Sequence, residues 1–395
     1  MKSARCLVAW CIAMLAVVQA ASRHDDDDDR PCGFPAIYNF GDSNSDTGAT
    51  SAAFFPRAWP SGETFFHEPA GRTCDGRLII DFIAEKLKLP YLDAYLDSIA
   101  TGFETGANFA TGGSTIRQQN ESFLFASPFS LDVQLAQFIN FKARTSGRLK
   151  FFSTAIKFKK PISRKELPNP KDFAKALYTI DIGQNDLSAG FRKLSHQQLL
   201  AAILDILTVF ALQIQNLYNL TGARTFWIHN TGPIGCLPST LINLPSPPPS
   251  AITLDEYGCV KEQNDMAKEF NKQLMEKVAQ LRTQLPLAAI TYVDVHAAKM
   301  DLIANSSSHG FVDPRKICCG YFRNGSLIVG CGRQLLVNGI ALFGGSCEDP
   351  ASHISWDGVH YTEAANRWIA DRIIDGSLSD PPVSITRACR LKMSI

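Results

Sequence analysis

Short β-rich runs alternate with helical patterns along most of the 395-residue chain, and this alternation limits the folds it can adopt. Strands and helices are predicted most clearly, in chain order, at residues 36–40, 78–87, 176–182, 199–214, 225–229, 261–285, 290–295 and 363–374. Thr362 can cap the last of these helices. Such alternation is typical of a parallel sheet covered by helices on both faces. We therefore predict an α/β fold, a three-layer α/β/α sandwich of flavodoxin-like type with a central, mainly parallel sheet of about five strands.

The N-terminus is typical of a secretory signal peptide. Lys2 and Arg5 precede an apolar run over residues 7–18, and cleavage is expected around Ala20. Twelve apolar residues are too few to cross a bilayer, which needs about 20. The apolar stretch over 199–214 places its polar residues on one helical face, which indicates a buried amphipathic helix. We therefore expect no integral membrane segment, and a secreted protein of the apoplast or cell wall, with the vacuole as an alternative.

No repeat or long linker divides the rest of the chain. We expect a signal peptide over 1–20, an acidic mature N-terminus over 21–31, a single catalytic domain over 32–376 and a C-terminal tail over 377–395. A proline-rich loop over 244–250 and a basic segment over 142–171 interrupt the alternation. We interpret the basic segment as a solvated helical flap; a cationic rim that attracts an anionic substrate or surface is the alternative.

Sequons and cysteines agree with export. Candidate glycosylation sites lie at Asn120, Asn219, Asn305 and Asn324. Two of the 11 cysteines belong to the signal peptide, so nine remain, and an odd number leaves at least one unpaired in an oxidising compartment.

Some disulfide pairings are suggested by proximity along the chain. Cys236 and Cys259 flank the proline-rich loop and form a plausible pair. Adjacent Cys318 and Cys319 are expected to bond to different partners, and Cys331 and Cys347 lie nearby. No CxxC or HxxxH spacing accompanies these cysteines, so the sequence predicts no metal site.

The charge balance argues against a polyanionic partner. With 39 Lys and Arg against 38 Asp and Glu, the net charge is +1 when histidine is neutral. Such a chain has no electrostatic preference for nucleic acid. The oligomeric state is left open by the sequence.

Glycines and small polar residues follow several predicted strands, where the active sites of open α/β sheets form. The motifs are GDS at 41–43, NFATGG at 108–113, GQND at 183–186 and DGVH at 357–360. Each motif alone is common in turns and helix caps. Together, at one edge of one sheet, they supply every group needed for nucleophilic acyl transfer.

On these four motifs the chain resembles the GDSL esterase/lipase family, also called the SGNH hydrolases, in its plant secreted form. The resemblance runs from residue 34 to about 374 and is closest to the early-nodulin-like branch, through FPAI at 34–37 and WDGVHYTEAAN at 356–366. Asn44 stands where the family name has leucine, as it does in that branch. The resemblance implies a secreted serine esterase that hydrolyses carboxylic esters without a cofactor.

The family's roles carry over to individual residues of this sequence. Ser43 would be the nucleophile, at the start of a helix, and His360 would take its proton as base and return it as acid. Asp357 would orient the imidazole. The oxyanion hole would comprise the Ser43 N–H, the Gly113 N–H and the Asn185 amide, with Gly112 as the alternative to Gly113.

Several other functions were weighed against this one. A chymotrypsin-like protease has the order His, Asp, Ser, and a conventional α/β-hydrolase carries a G-x-S-x-G motif that this chain lacks. A glycosidase needs two opposed carboxylates, for which Asp42 and Asp186 are candidates. An acyltransferase would use the same acyl-serine, and an inactive binding protein would be expected to lack one of the catalytic groups. The substrate is a small-molecule or polysaccharide ester, with short acyl groups favoured because no long lid is evident.

Overall fold

The computed structural model describes residues 30–97, 99, 102–119, 127–155, 167–242, 244, 252–323 and 325–391. Several predicted features lie outside the described residues: the signal peptide, the sequons at Asn120 and Asn324, most of the proline-rich loop and part of the basic segment.

A six-stranded sheet forms the centre of the protein. Its strands are β1 (Ile37–Gly41), β2 (Gly106–Asn108), β3 (Leu177–Asp181), β4 (Thr225–His229), β5 (Ala289–Val293) and β10 (Ser379–Asp380), in the spatial order β10-β5-β4-β3-β1-β2. The first five are parallel, and β10 is antiparallel to β5. Outside this sheet, β6 (Gly320–Arg323) pairs with β7 (Ser326–Gly330), and β8 (Gln334–Val337) pairs with β9 (Ile340–Phe343).

Helices cover both faces of the central sheet. They are α1 (Ala49–Ala53), α2 (Ile79–Lys86), α3 (Leu131–Ala155), α4 (Gln184–Lys193), α5 (His196–Asn216), α6 (Pro238–Leu241), α7 (Lys261–Gln284), α8 (Val295–Ala304) and α9 (Glu363–Ile374). Buried residues of α3, α4, α5 and α7 share one hydrophobic core, and those of α2, α8 and α9 share another. The predicted three-layer α/β/α sandwich is confirmed.

The two cores use alternate residues of the strands. Tyr38 and Phe40 of β1 belong to the core formed with α3, α5 and α7, whereas Ile37 belongs to the core formed with α2 and α9. Because both faces are covered, β1, β3, β4 and β5 are buried along their whole length. The carboxyl ends of the parallel strands therefore all meet at one edge, where the GDS, NFATGG and GQND motifs follow β1, β2 and β3.

The C-terminal segment differs from the expected tail. Ser379 and Asp380 pair with β5 as a sixth strand, and a 3₁₀ helix over Ile385–Arg390 follows. Ile385 and Ala388 are fully buried, and Cys389 forms a disulfide with Cys32. Residues up to 391 are therefore part of the domain, and the sheet has six strands rather than about five.

Four disulfides and one free cysteine account for the nine cysteines within the described residues. Cys236 bonds to Cys259, and Cys318 and Cys319 bond to different partners, as expected. The pairs are Cys32–Cys389, Cys236–Cys259, Cys318–Cys347 and Cys319–Cys331. Cys74 is free and buried.

Within the described part of the chain, one helical segment is long and apolar enough to cross a membrane: His196–Thr221, which comprises α5 and a π-helical turn. Leu199, Ile203, Leu207, Phe210 and Ile214 of this segment are buried in the core against the sheet. This packing agrees with the interpretation as an amphipathic core helix.

Candidate active site

The loop before α9 holds a hydrogen-bonded aspartate–histidine pair. His360 Nδ1 lies 2.7 Å from Asp357 Oδ2, and Asp357 Oδ1 accepts hydrogen bonds from the backbone N–H groups of Val359 (3.0 Å) and His360 (2.8 Å). Burial raises the pKa of Asp357, but the charge of His360 and these hydrogen bonds outweigh it, so the pKa lies below its usual value. An ionised carboxylate at Nδ1 leaves Nε2 as the basic nitrogen.

His360 Nε2 is directed away from this carboxylate and has no partner. It is buried, and no described residue forms a hydrogen bond with it. The hydrogen bond expected between Ser43 Oγ and His360 Nε2 is therefore not formed in this structure. In unliganded hydrolases the nucleophile and base are often further apart than in the substrate complex.

Ser43 lies in a turn directly after β1. Asp42 begins the turn: its carbonyl accepts a hydrogen bond from Ser45 N–H (3.1 Å), and its Oδ1 accepts one from Asn44 N–H (3.0 Å). The first helix after this turn, α1, begins only at Ala49, so Ser43 is not at the start of a helix as expected. The Ser43 N–H has no partner among the described residues.

Buried amides fix this turn to the sheet. Asn108, at the end of β2, donates to the Ser45 carbonyl (2.6 Å) and to the Thr47 hydroxyl (2.9 Å). Gln134 of α3 donates to the Gly41 carbonyl (2.8 Å) and accepts from the Gly41 N–H (2.9 Å). Because these side chains are fully buried, their hydrogen bonds hold the Ser43 turn in one position.

Gly113 and Gly112 differ in whether their N–H groups are available. The Gly112 N–H donates to Asp46 Oδ2 and to Thr50 Oγ1, both at 2.9 Å. The Gly113 N–H has no partner among the described residues, and Gly113 has a positive φ of 78°. Of the two glycines weighed from the sequence, Gly113 therefore has the free donor.

Asn185, in the first turn of α4, contacts residues adjacent to Ser43 and Gly113, the other two expected oxyanion donors. Its amide nitrogen donates to Asp42 Oδ2 (3.1 Å) and to the Ser114 carbonyl (3.0 Å). Asp42 precedes Ser43 and Ser114 follows Gly113, so three of the predicted residues are brought together at the edge of the sheet. Both amide hydrogens are already bonded, and one must be released before Asn185 can bind an oxyanion.

Glycine is required where β3 turns into α4. Gly183 has φ 128°, and a Cβ at this position would lie 2.7 Å from the Phe270 ring. This close packing sets the start of α4 and therefore the position of Asn185.

Buried charges lie beneath the turn. Burial and the nearby Asp181 raise the pKa of Asp42 to about 8. Asp181 accepts a hydrogen bond from His229 (3.2 Å), which outweighs burial and lowers its pKa. Lys299 of α8 is buried, its charge acts on both aspartates, and its Nζ lies 4.6 Å from the centre of the Tyr361 ring.

Asp186 is a further buried carboxylate of the GQND motif. It accepts hydrogen bonds from Ile116 N–H (2.8 Å) and Arg117 N–H (3.2 Å), and burial raises its pKa to about 7. Its role is to fix the segment after Gly113. The structural roles of Asp42, Asp186, Gln134 and Lys299 were not predicted from the sequence, because only the fold brings their partners together.

A cleft of about 610 Å³ lies beside the aspartate–histidine loop. Its lining includes Pro238, Leu241, Ile317 and Phe322, and Leu244 represents the predicted proline-rich loop. The loop contacts the wall of this cleft: the carbonyl of Gly358 in the loop accepts a hydrogen bond (2.9 Å) from the N–H of Ser239, which follows the lining residue Pro238. Arg315, Lys316 and His353 also line the cleft, so it combines apolar and basic side chains. A cleft of mixed lining beside the aspartate–histidine loop suits a small organic ligand with polar groups.

Two clusters of sulfur and polar ligands were considered as metal sites. One comprises Cys318, Cys347 and His353, and the other Cys236, Asp255 and Cys259. In both, the two cysteines form a disulfide, so their sulfurs are not available as thiolate ligands.

The two sequons within the described residues are accessible. Asn219 is exposed in the π-helical turn that follows α5, and Asn305 is exposed directly after α8. An exposed asparagine at the end of a helix leaves room for a glycan.

Comparison with known proteins identifies one family, although one relative in it has a glycosidase name. Residues 37–373 match the family model described as GDSL-like lipase/acylhydrolase. A GDSL esterase/lipase of Arabidopsis thaliana is 56% identical over 360 residues, which cover 91% of this chain and 90% of the relative. The GDSL esterase/lipase ENOD8 of Medicago truncatula is 46% identical and covers 91% of each chain. Alpha-L-fucosidase 3 of Arabidopsis thaliana is also 46% identical, over 91% of this chain and 93% of the relative.

Proposed function

Because the chain belongs to the GDSL-like lipase/acylhydrolase family and is a carboxylic ester hydrolase, we propose that it is a secreted serine esterase that acts through an acyl-serine intermediate. Ser43 is the nucleophile, His360 the general base and acid, and Asp357 the residue that orients the imidazole. The observation that carries the proposal is the Asp357–His360 pair, at 2.7 Å, whose second ring nitrogen is unpartnered.

The chemistry follows from the hydrogen-bonding capacities of these groups. Nε2 of His360 removes the Ser43 hydroxyl proton as Oγ bonds to the ester carbonyl carbon. The carbonyl oxygen becomes an oxyanion, which the free N–H groups of Ser43 and Gly113 can bind. The carbon–oxygen bond to the alcohol then breaks, and His360 gives its proton to the departing alcohol. Water repeats the sequence on the acyl-serine and releases the carboxylic acid.

Asn185 is proposed as the third oxyanion donor, and its contacts indicate how it would act. Its amide now donates to Asp42 and to the Ser114 carbonyl. When an oxyanion forms, one of these hydrogen bonds is exchanged for the stronger one to a charged oxygen. Asp42 thus positions the amide in the resting enzyme without reacting itself.

The fucosidase name of one relative makes glycoside hydrolysis the second function to consider. Its candidate carboxylates, Asp42 and Asp186, are 1% and 3% exposed, and both are already occupied by hydrogen bonds from the protein. A glycosidase acid and base must contact the glycosidic oxygen and a water molecule. Ester hydrolysis therefore fits this site better.

Replacement of the nucleophile tests the mechanism directly. We expect S43A and H360A to lower kcat on a 4-nitrophenyl ester by about 10⁶-fold, and N185A by about 10²–10³-fold. A fluorophosphonate probe should label the unmodified enzyme at Ser43 and should not label S43A. S308A, at an exposed serine after α8, is the control and should keep full activity. Turnover by S43A at the unmodified rate would refute the mechanism.

The same acyl-serine could pass to an alcohol instead of water. Product analysis with and without a polyol acceptor separates the two outcomes: an esterase releases free acid in both, whereas an acyltransferase forms a new ester. We expect free acid, because hydrolysis is the activity of the family.

Export is also part of the proposal, supported by the four disulfides and the exposed sequons. In a plant secretory system the mature protein should begin near residue 21. N219Q and N305Q should each remove one enzymatically cleavable glycan, whereas an unprocessed N-terminus would contradict export.

A further inference from the structure

An arginine lies against the glycine loop that carries the proposed oxyanion donor. A Cβ built on Gly112 would lie 3.6 Å from Arg57 Nη2. Gly112 is adjacent to Gly113, whose N–H is unpartnered. The Arg57 guanidinium is therefore close to the place where the ester carbonyl binds in the proposed mechanism.

The Nε of this guanidinium is buried and has no acceptor among the described residues. Burial lowers the pKa of Arg57 despite the opposing charges of Asp46 and Asp357, but a guanidinium remains protonated at any pH at which an enzyme works. A buried charged donor without an acceptor is costly, and a bound ligand that supplies one removes the cost.

The two carboxylates whose charges act on Arg57 are already satisfied by other donors. Asp46 accepts from the backbone N–H groups of Gly48, Ala49, Thr50 and Gly112 and from the Thr50 hydroxyl. Asp357 accepts from Val359 and from His360. Neither carboxylate forms an ion pair with Arg57 in the described part of the chain, so its N–H groups remain available for a ligand.

A second arginine reinforces the positive potential. Arg333 is exposed, and its guanidinium lies 5.3 Å from the centre of the Phe55 ring, two residues before Arg57. The preceding Gly332 packs on this segment, because a Cβ there would lie 3.1 Å from the Trp59 carbonyl oxygen. The like charge of Arg333 adds to the effect of burial and also lowers the pKa of Arg57. An anion bound here would be attracted by both arginines.

We propose that Arg57, with Arg333 behind it, forms an anion subsite through which this esterase selects esters that carry a carboxylate group. The inference rests on the proposed function, because it places the ester at Ser43. A planar guanidinium can bind both oxygens of a carboxylate, which gives orientation as well as affinity. Arg57 is thus a specificity-determining residue of the same site.

The position of Arg57 limits where the carboxylate can be. Arg57 Nη2 lies 3.6 Å from a Cβ built on Gly112, and the Gly113 nitrogen is less than one Cα–Cα spacing, about 3.8 Å, from that Cβ, so the guanidinium lies within about 8 Å of the Gly113 N–H. A carboxylate a few bonds from the ester carbonyl can reach the guanidinium. The rings of Phe54 and Phe129 are 5.7 Å apart, and the Phe129 carbonyl accepts a hydrogen bond (2.8 Å) from the hydroxyl of Ser114, the residue after Gly113, so these rings offer an apolar surface near the glycine loop.

Matched pairs of charged and neutral esters test the subsite. 4-Acetoxybenzoate and 4-acetoxybenzamide differ only in a charge on the alcohol side. The 4-nitrophenyl monoester of adipic acid and its monoamide differ only in a charge on the acyl side. For at least one pair, R57Q should lower kcat/KM for the charged ester by about 10- to 100-fold, mainly through KM. The neutral ester should change by less than about threefold.

Three further variants define the result. R57K should retain part of the selectivity, because lysine keeps the charge and loses the bidentate geometry. R333Q should reduce the selectivity for the charged ester by a smaller factor than R57Q does. This reduction should disappear at high salt, since Arg333 is exposed. R192Q, at an exposed arginine near the far end of α4, should leave it unchanged.

The outcomes separate this inference from the proposed function. If the unmodified enzyme hydrolyses no ester of either pair, the proposed function fails. If both are hydrolysed and R57Q leaves the selectivity for both pairs unchanged, the subsite is refuted. An equal loss of kcat on charged and neutral esters would also refute it, because Arg57 would then stabilise the oxyanion. Should R57Q not fold, competitive inhibition of the unmodified enzyme decides: adipate should bind at least tenfold more tightly than adipamide, and equal inhibition overturns the inference.

Discussion

At the scale of single residues, Asp357 determines which nitrogen of the His360 ring is free to act as the base in the proposed mechanism. Its carboxylate accepts the Nδ1 hydrogen, so Nε2 carries the lone pair. In D357N the amide can donate to Nδ1, and the ring is then protonated on the nitrogen that should face Ser43. We expect kcat on 4-nitrophenyl acetate to fall by about 10⁴-fold, as in other serine triads, with little change in KM. A fall of less than tenfold would indicate that the pair is not catalytic.

The low pKa of Asp357 also predicts how the pair affects stability. Because the folded-state pKa lies below the unfolded value of about 3.9, ionised Asp357 stabilises the fold above that pH. The stabilisation is lost as the pH falls through the folded-state pKa. The difference in free energy of unfolding between the unmodified protein and D357N should decrease as the pH falls below about 4. Urea titrations above and below that pH measure it, and a difference that grew with acidification would contradict the assignment.

Cys74 is the residue that reports whether the other cysteines are paired. It is fully buried, accepts a weak hydrogen bond from Gly76 N–H (3.4 Å), and burial raises the pKa of its thiol. A thiol of this kind reacts slowly. We expect no reaction with Ellman's reagent in the native mature protein and one thiol per chain in guanidinium chloride without reductant. More than one thiol would show that a disulfide is open or that the signal peptide, with Cys6 and Cys11, is still attached.

At the scale of elements, the sequence best predicted those helices and strands whose apolar residues recur at a regular spacing and whose ends carry a cap. Glu363–Ile374 was predicted with both ends correct, because Thr362 supplies the N-cap and accepts a hydrogen bond from Ala365 N–H (3.2 Å). β10, with two residues, is too short to show any periodicity. The helix expected at Ser43 is absent because Asp42 and Asn44 close a local turn, and short polar side chains favour such turns over helix.

In the candidate site too, contacts within one motif could be predicted from the sequence, whereas contacts between distant segments could not. Asp357 and His360 are three residues apart, so their contact could be predicted from the motif alone. The sequence left Gly112 and Gly113 as alternatives, because the choice depends on Asp46 and Thr50, which occupy the Gly112 N–H only in the folded chain. The position of Arg57 beside this loop also depends on tertiary packing, and no local pattern indicates it.

The element that supports the catalytic loop is the segment around Cys318 and Cys319. Their N–H groups donate to the carbonyls of Ser355 (3.0 Å) and Trp356 (2.6 Å), directly before Asp357. The Cys318–Cys347 disulfide closes a loop of 29 residues and holds this segment. We expect C318S/C347S to lose about 2–4 kcal/mol of stability and also to lower kcat severalfold, because the loop with Asp357 and His360 becomes looser.

The matched control for this prediction is C32S/C389S. That disulfide joins residues near the two ends of the described chain, which are remote in sequence from the catalytic motifs. Its removal should lower the melting temperature and leave kcat unchanged at temperatures well below unfolding. Equal kcat values for the two double variants would show that the Cys318–Cys347 bond does not support the catalytic loop.

At the scale of the whole molecule, the C-terminal segment completes a domain whose catalytic groups all lie before residue 376. β10 pairs with β5, Leu378 accepts from Asp294 N–H (2.8 Å), and Asp380 forms an ion pair with Arg282 (2.6 Å). Ile385 and Ala388 are buried in the core that contains α2 and α9. β10 thus covers the outer edge of β5 and protects that strand from pairing with another chain.

A chain that ends at Gly376 should therefore fold poorly although it retains every catalytic residue. It loses the Cys32–Cys389 disulfide, worth about 2–4 kcal/mol, and the burial of Ile385, worth about 1.5–3 kcal/mol. Together these approach the total stability of a typical domain, about 5–15 kcal/mol. Thermal unfolding should show a melting temperature well below that of C32S/C389S, which lacks only the disulfide. If the two chains melted at the same temperature, the contacts of β10 and the last 3₁₀ helix would contribute nothing, and residues 377–391 would be a tail in the functional sense after all.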